Sequence, residues 1–70
     1  KIEFEIIENG RTSLYITDVL GNVVKTIFDD HLRPGIHSAE VDSKELNTGT
    51  YFYVLKTPTK HLVKRMTVNK

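Results

Sequence analysis

Residues 46–57 read LNTGTYFYVLKT: a polar turn closed by Gly49, then three aromatic side chains in a row at Tyr51, Phe52 and Tyr53. Strand alternation sends Tyr51, Tyr53 and Leu55 to one face and Phe52 and Val54 to the other. Large apolar groups on both faces fit a central strand that is at least partly covered on each side. Gly49 lets the chain turn sharply into this strand, and is expected to hold a backbone conformation that other residues resist. Tyr51 is expected in the core, with its hydroxyl satisfied as in the tyrosine corner of β-sandwiches. Aromatics interleaved with lysine also build platforms for nucleic acid or sugar. In a chain with few other large side chains, core packing is the better account.

Outward from this stretch the apolar period is two almost throughout. Ile2, Phe4 and Ile6 alternate with Glu3 and Glu5, as in a half-buried strand. Asn9-Gly10 follows, a strong hairpin signal because both residues tolerate positive φ, and predicts that the first two strands pair. The second strand places Leu14 and Ile16 inward, with Ser13, Tyr15 and Thr17 outward. Asp18 to Asn22 breaks it, Gly21-Asn22 suiting a tight turn. In the third strand, Val23 to Phe28, either Val24, Thr26 and Phe28 share a face or Val23 and Ile27 do; a bulge would reconcile the two. Asp29-Asp30-His31 and Arg33-Pro34-Gly35 are expected to enclose a loop. A fourth strand, Ile36 to Val41, sets His37, Ala39 and Val41 on one side, and a polar crossover over Asp42 to Asn47 is anchored by Leu46. After the turn at Thr57-Pro58-Thr59, Leu62 to Val68 forms the last strand with Met66 and Val68 inward. Lys64 falls on their face, so it must snorkel at the rim or follow a bulge. Short strands, frequent turns and no helix-period segment predict an all-β, Ig-like antiparallel β-sandwich of six to seven short strands.

Seventy residues suit one domain, 1–70, with no room for a second. The chain opens mid-strand with no signal peptide, and is expected to be a module from the end of a larger secreted protein. Without cysteine, neither disulfides nor thiolate metal sites can stiffen it. A net charge of +1 argues against nucleic acid as a partner, and no apolar run reaches membrane-spanning length. The charge is nevertheless uneven: Glu3, Glu5 and Glu8 crowd the start, whereas five basic residues and no acidic one lie from Lys56 onward.

The residues that carry chemistry elsewhere do not converge here. His31, His37 and His61 have no second ligand at a recognised spacing, and His37 is expected to pack or to cap a hydrogen bond. Ser13, Ser38 and Ser43 lack a nucleophile elbow, and carboxylates pair only as Asp29-Asp30 and as Asp42 with Glu45. The expectation is a protein that is not an enzyme and takes no metal or cofactor.

Read together, TSLYITDVLGNVV, RPGIHSAEVD, LNTGTYFYVLKT and HLVKRMTVNK form a pattern. It resembles the C-terminal sorting domain, type A, of proteins exported by the type IX secretion system of Bacteroidota, itself related to the Ig-like domain of flagellar hook-capping proteins. The family's motifs fall on Asp18 and Gly21, on Gly35, His37 and Asp42, on Leu46, Gly49 and Tyr51, and on Lys64 or Arg65. Thr17 stands where the family often has tyrosine, Asn22 where it often has arginine, and Val41 where it often has an aromatic residue. The resemblance implies a non-catalytic address fused to an upstream cargo, read by the outer-membrane translocon and usually removed by a surface sortase. It implies secretion, or display on the surface of a Gram-negative cell, by way of the periplasm. The recognition residues are then expected in the last strand, at Lys64, Arg65, Thr67, Val68 and Lys70. The alternative is a structural or carbohydrate-binding Ig-like spacer of a secreted enzyme or adhesin.

Overall fold

A computed structural model describes residues 2–41, 44 and 46–69, with the backbone alone at Ile2. Asp42, Ser43, Glu45 and Lys70, all singled out above, lie outside the described residues. The strands are β1 (Ile2–Ile6), β2 (Gly10–Thr17), β3 (Val23–Leu32), β4 (Gly35–Ala39), β5 (Gly49–Lys56) and β6 (His61–Val68). They form two antiparallel sheets, one ordered β3-β2-β5-β6 and one made of β1 and β4 alone. The expected all-β sandwich is the fold, with six strands among the described residues.

The strand of the opening stretch sits inside the larger sheet, with β2 on one side and β6 on the other. Register places Leu14 opposite Leu55 and Ile16 opposite Tyr53, so these share the inner face. The core has two parts. Ile6, Leu14 and Leu55 are buried together, flanked by Phe4, Phe28 and Tyr53. Ile16, Leu46 and Val68 form the second part, against which Val41, Tyr51 and Met66 pack. Leu46 thus anchors the crossover as its isolation among polar neighbours suggests. On the outer face Val54 is only 5% exposed, between Tyr15 on β2 and Val63 on β6 in the register. This accounts for the second apolar face of β5.

Asn9-Gly10 does not join paired strands. β1 pairs with β4, Phe4 opposite His37, and the Asn9-Gly10 segment carries the chain from one sheet to the other. Gly10 answers instead to a residue far along the sequence. A Cβ on Gly10 would run into the Pro58 ring, so the glycine is required by close approach as well as by its φ of 153°. Asn9 has no positive φ, which the hairpin turn would have required.

Two further expectations change. β3 continues to Leu32, so Asp29, Asp30 and His31 are strand residues opposite Ser13, Thr12 and Arg11, not a loop. Thr17 points outward as alternation predicts, opposite Phe52 on the outer face, but is buried there rather than exposed. The ambiguity in β3 resolves as the bulge predicts. Phe28 and Thr26 face Leu14 and Tyr15, leaving Ile27 over; Lys25 and Val23 face Ile16 and Thr17, leaving Val24 over. β4 stops at Ala39, and Val41 lies beyond it, half-buried against the second part of the core.

Candidate functional site

The motif residues are turn builders and packing anchors spread over the β2–β3 turn, β4 and the start of β5. Asp18 organises its turn through both carboxylate oxygens. Oδ1 accepts from the backbone N–H groups of Leu20 and Asn22, each at 2.9 Å, and Oδ2 accepts from Asn22 Nδ2 at 3.3 Å. The backbone closes the same loop, the Gly21 N–H donating to the Asp18 carbonyl at 3.1 Å. Gly21 has a φ of 89°, a conformation in which a side chain is strained. These donors, the Asn22 N–H above all, hold the Asp18 carboxyl below its ordinary pKa. Asn22, standing where the family often has arginine, therefore has a role of its own as a donor to Asp18.

Gly35 opens β4 with a φ of 142°. Two residues on, the His37 ring stacks on Phe4 with centroids 5.9 Å apart, and its Nε2 donates to the Arg33 carbonyl at 2.8 Å. His37 packs and caps, as its place on the strand face suggests. Gly49 has a φ of 158°, at the margin of the extended region. Tyr51 is half-buried, and its hydroxyl donates to the Asn47 carbonyl four residues back at 2.8 Å. That bond ties the crossover to β5 in the manner of a tyrosine corner.

β6 is an edge strand. It pairs with β5 in an unbroken register from Gly49 opposite Val68 to Lys56 opposite His61, and no described strand lies on its other side. Lys64, Arg65 and Thr67 are exposed along it. Lys64 is on the inner face without a bulge, opposite Tyr53, and reaches solvent at the rim. Val68 is buried with Ile16 and Leu46, so its side chain seats the strand end in the core.

One interaction had no signal in the sequence. Glu8 Oε1 accepts from Thr57 Oγ1 at 2.8 Å, from Thr59 Oγ1 at 2.6 Å and from the Thr59 N–H at 3.1 Å. Thr57 also closes its own turn, its N–H donating to the Lys60 carbonyl at 2.8 Å and its Oγ1 accepting from the Lys60 N–H at 2.9 Å. The hydroxyls, Thr59 first and then Thr57, lower the Glu8 pKa. The β5–β6 turn is thus clamped to the segment that leaves β1, a link between residues about fifty positions apart that local patterning does not register. On the outer face Arg11 Nε donates to Asp29 Oδ1 at 2.9 Å and Ser13 Oγ donates to the same oxygen at 3.0 Å. Together they hold Asp29 below the usual carboxylate range, Arg11 being the larger influence.

Among the described residues no three histidine, cysteine or carboxylate side chains gather as metal ligands, and no helix is long and apolar enough to cross a membrane. His31 Nε2 lies 3.1 Å from Asn9 Oδ1, well apart from His37 in its roles. No curated protein and no solved structure matches the chain. Residues 1–69, nearly its whole length, match the family described as the secretion system C-terminal sorting domain. With the Asp18 turn, the Tyr51 anchor and the free last strand in place, the chain belongs to the C-terminal sorting domains of the type IX secretion system.

Proposed function

We propose that the chain is a non-catalytic sorting signal carried at the end of a cargo protein, and that β6 is the part read by the outer-membrane translocon. The observation that carries this reading is the edge of β6. Eight residues in continuous register offer unpaired main-chain donors and acceptors beside the exposed Lys64, Arg65 and Thr67. Main-chain pairing to such an edge supplies affinity, and the flanking side chains supply register and orientation. Charge alone would be a weak address, since exposed ion pairs are worth little at physiological salt. Val68 holds the strand end in place, and Lys70 adds a further positive charge in the sequence beyond it.

In this reading the cargo crosses the inner membrane by an ordinary signal peptide, passes from the periplasm through the outer membrane, and reaches the surface of a Gram-negative cell of the Bacteroidota. A surface sortase then removes the domain. It takes no cofactor or metal and catalyses nothing itself.

The test is a fusion of residues 1–70 to a fluorescent cargo with a signal peptide, expressed in a host with type IX secretion. The intact fusion is expected at the cell surface, and one lacking residues 61–70 in the periplasm. Lys64→Glu with Arg65→Glu separates the address from the fold, because both side chains are exposed. That fusion should fold and be retained. An intact fusion that folds yet stays in the periplasm refutes the sorting reading and leaves a spacer role.

A further inference from the structure

The smaller sheet leaves the Leu62–Lys64 end of β6 uncovered on the inner face, whereas Val68 at its other end is buried in the core. A groove runs along this side between the unpaired edge of β1 and the inner faces of β5 and β6. One stretch, a cavity of ≈ 190 Å³, is lined by Glu3, Phe4, Tyr53, Leu55, Leu62 and Lys64. The next, of ≈ 200 Å³, shares Leu55 and Leu62 and continues past Glu5, Ile7 and Lys60. The groove is apolar where a soluble protein gains nothing by being so: Leu62 is 53% exposed and Ile7 63%.

We propose that this groove is a strand-binding site whose occupant is an extended segment of another protein, with apolar residues alternating with lysine or arginine. β1 uses one edge to pair with β4, and no described strand lies on its other side, so that edge of this five-residue strand offers its backbone groups to an added strand. The pleat of an added strand follows that of β1. Every second side chain then enters the groove beside Phe4 and Ile6, over Leu55 and Leu62. The remaining side chains stand at the groove's rim beside Glu3 and Glu5, which border it. Both carboxylates are exposed, and neither takes part in an ion pair among the described residues. They favour cations at those rim positions and disfavour anions.

The same charges argue against a second copy of the chain. Two β1 strands paired antiparallel about Phe4 would set Glu3 against Glu5 in both directions, like charges directly opposite. β6 of another copy has its cations at consecutive positions, Lys64 and Arg65, which point to opposite faces. The partner therefore has a pattern that neither β1 nor β6 supplies.

The test is a titration of the ¹⁵N-labelled 70-residue chain with a capped seven-residue peptide alternating valine and lysine, followed by amide chemical shifts. Saturable shifts are expected at residues 2–6 and around Leu55 and Leu62. A valine–glutamate peptide should bind about tenfold more weakly, as two favourable cross-strand pairs become two repulsive ones. Glu3→Lys with Glu5→Lys should reverse that preference, and Leu62→Asp should weaken both peptides; all three sites are exposed, and a dispersed spectrum verifies the fold. Equal binding of the two peptides, shifts confined to 61–68, or no saturable shift would each overturn the proposal. Shifts confined to 61–68 would also mark the β6 edge, not the groove, as the adhesive one.

Discussion

Leu46 and Leu20 are the same residue in opposite circumstances, and truncating each to alanine tests whether the second part of the core holds the fold together. Leu46 is 5% exposed and buried with Ile16 and Val68, whereas Leu20 is 83% exposed in the Asp18 turn. Leu46→Ala removes three carbon atoms from an almost dry site, about 2.4 kcal/mol at about 0.8 kcal/mol per buried carbon. A cavity contribution adds to this, limited because Val41, Tyr51 and Met66 are only partly buried and able to close in. The expected cost is about 3 kcal/mol. A domain of this size has roughly 3.5–10 kcal/mol in all, at about 0.05–0.15 kcal/mol per residue. Leu20→Ala should stay within about 0.5 kcal/mol of the parent. Urea unfolding followed by circular dichroism measures both. With a slope of about 1 kcal/mol per molar for so small a domain, Leu46→Ala should lower the midpoint by about 3 M. A loss below about 1 kcal/mol at unchanged slope would refute the reasoning, and would mean that Leu46 covers the sheet without being needed by it.

Three other outcomes follow from the geometry. Tyr51→Phe keeps the ring and loses the bond to the Asn47 carbonyl, so it should cost about 0.5–1.5 kcal/mol in the same urea assay. Gly10→Ala should destabilise through its collision with Pro58, and Pro58→Ala in the same chain should recover part of the loss; full stability of the single variant would show that the approach is not tight. Glu8, Asp18 and Asp29 all have lowered carboxyl pKa values in the folded chain. In acid the unfolded chain therefore binds more protons, and stability should fall as pH drops below about 4–5, through the range between unfolded and folded values. Glu8→Gln should flatten this slope in thermal melts recorded from pH 6 to pH 2, because its share of the titration is removed.

The sequence disclosed what depends on neighbours and concealed what depends on distance. Alternation along β2 and β5 fixes their inner faces, and Asp18 with Gly21 marks a turn whose bonds all lie within five residues. The conflict between Val24 and Ile27 in β3 is itself the trace of the two extra residues in its register. Asp29 to His31 looked like a loop because they are polar, yet partners on β2, Arg11 and Ser13, satisfy Asp29 on an exposed face. The partner of β1 was hidden entirely, since Asn9-Gly10 is a good hairpin turn until Pro58 and the Glu8 clamp are known. For the candidate site, composition located the positive charge of β6. That Val68 is an anchor while Thr67 is presented follows from which face the core covers.

The pairing of β1 with β4 also sets an order of events. β5 meets β6 across a short turn, Lys56 opposite His61, whereas Ile6 meets Gly35 only after two strands of the other sheet have intervened. Closing the longer loop is slower, so the β5–β6 hairpin is expected to form early and β1 to be added late. Yet β1 precedes β4 in the chain, and a nascent polypeptide holds IEFEI without its native partner strand until β4 has been made. An unpaired alternating strand invites the wrong edge. Two glutamates in five residues keep one of its faces charged through that delay, the role of a gatekeeper in a segment that must remain sticky on its other face.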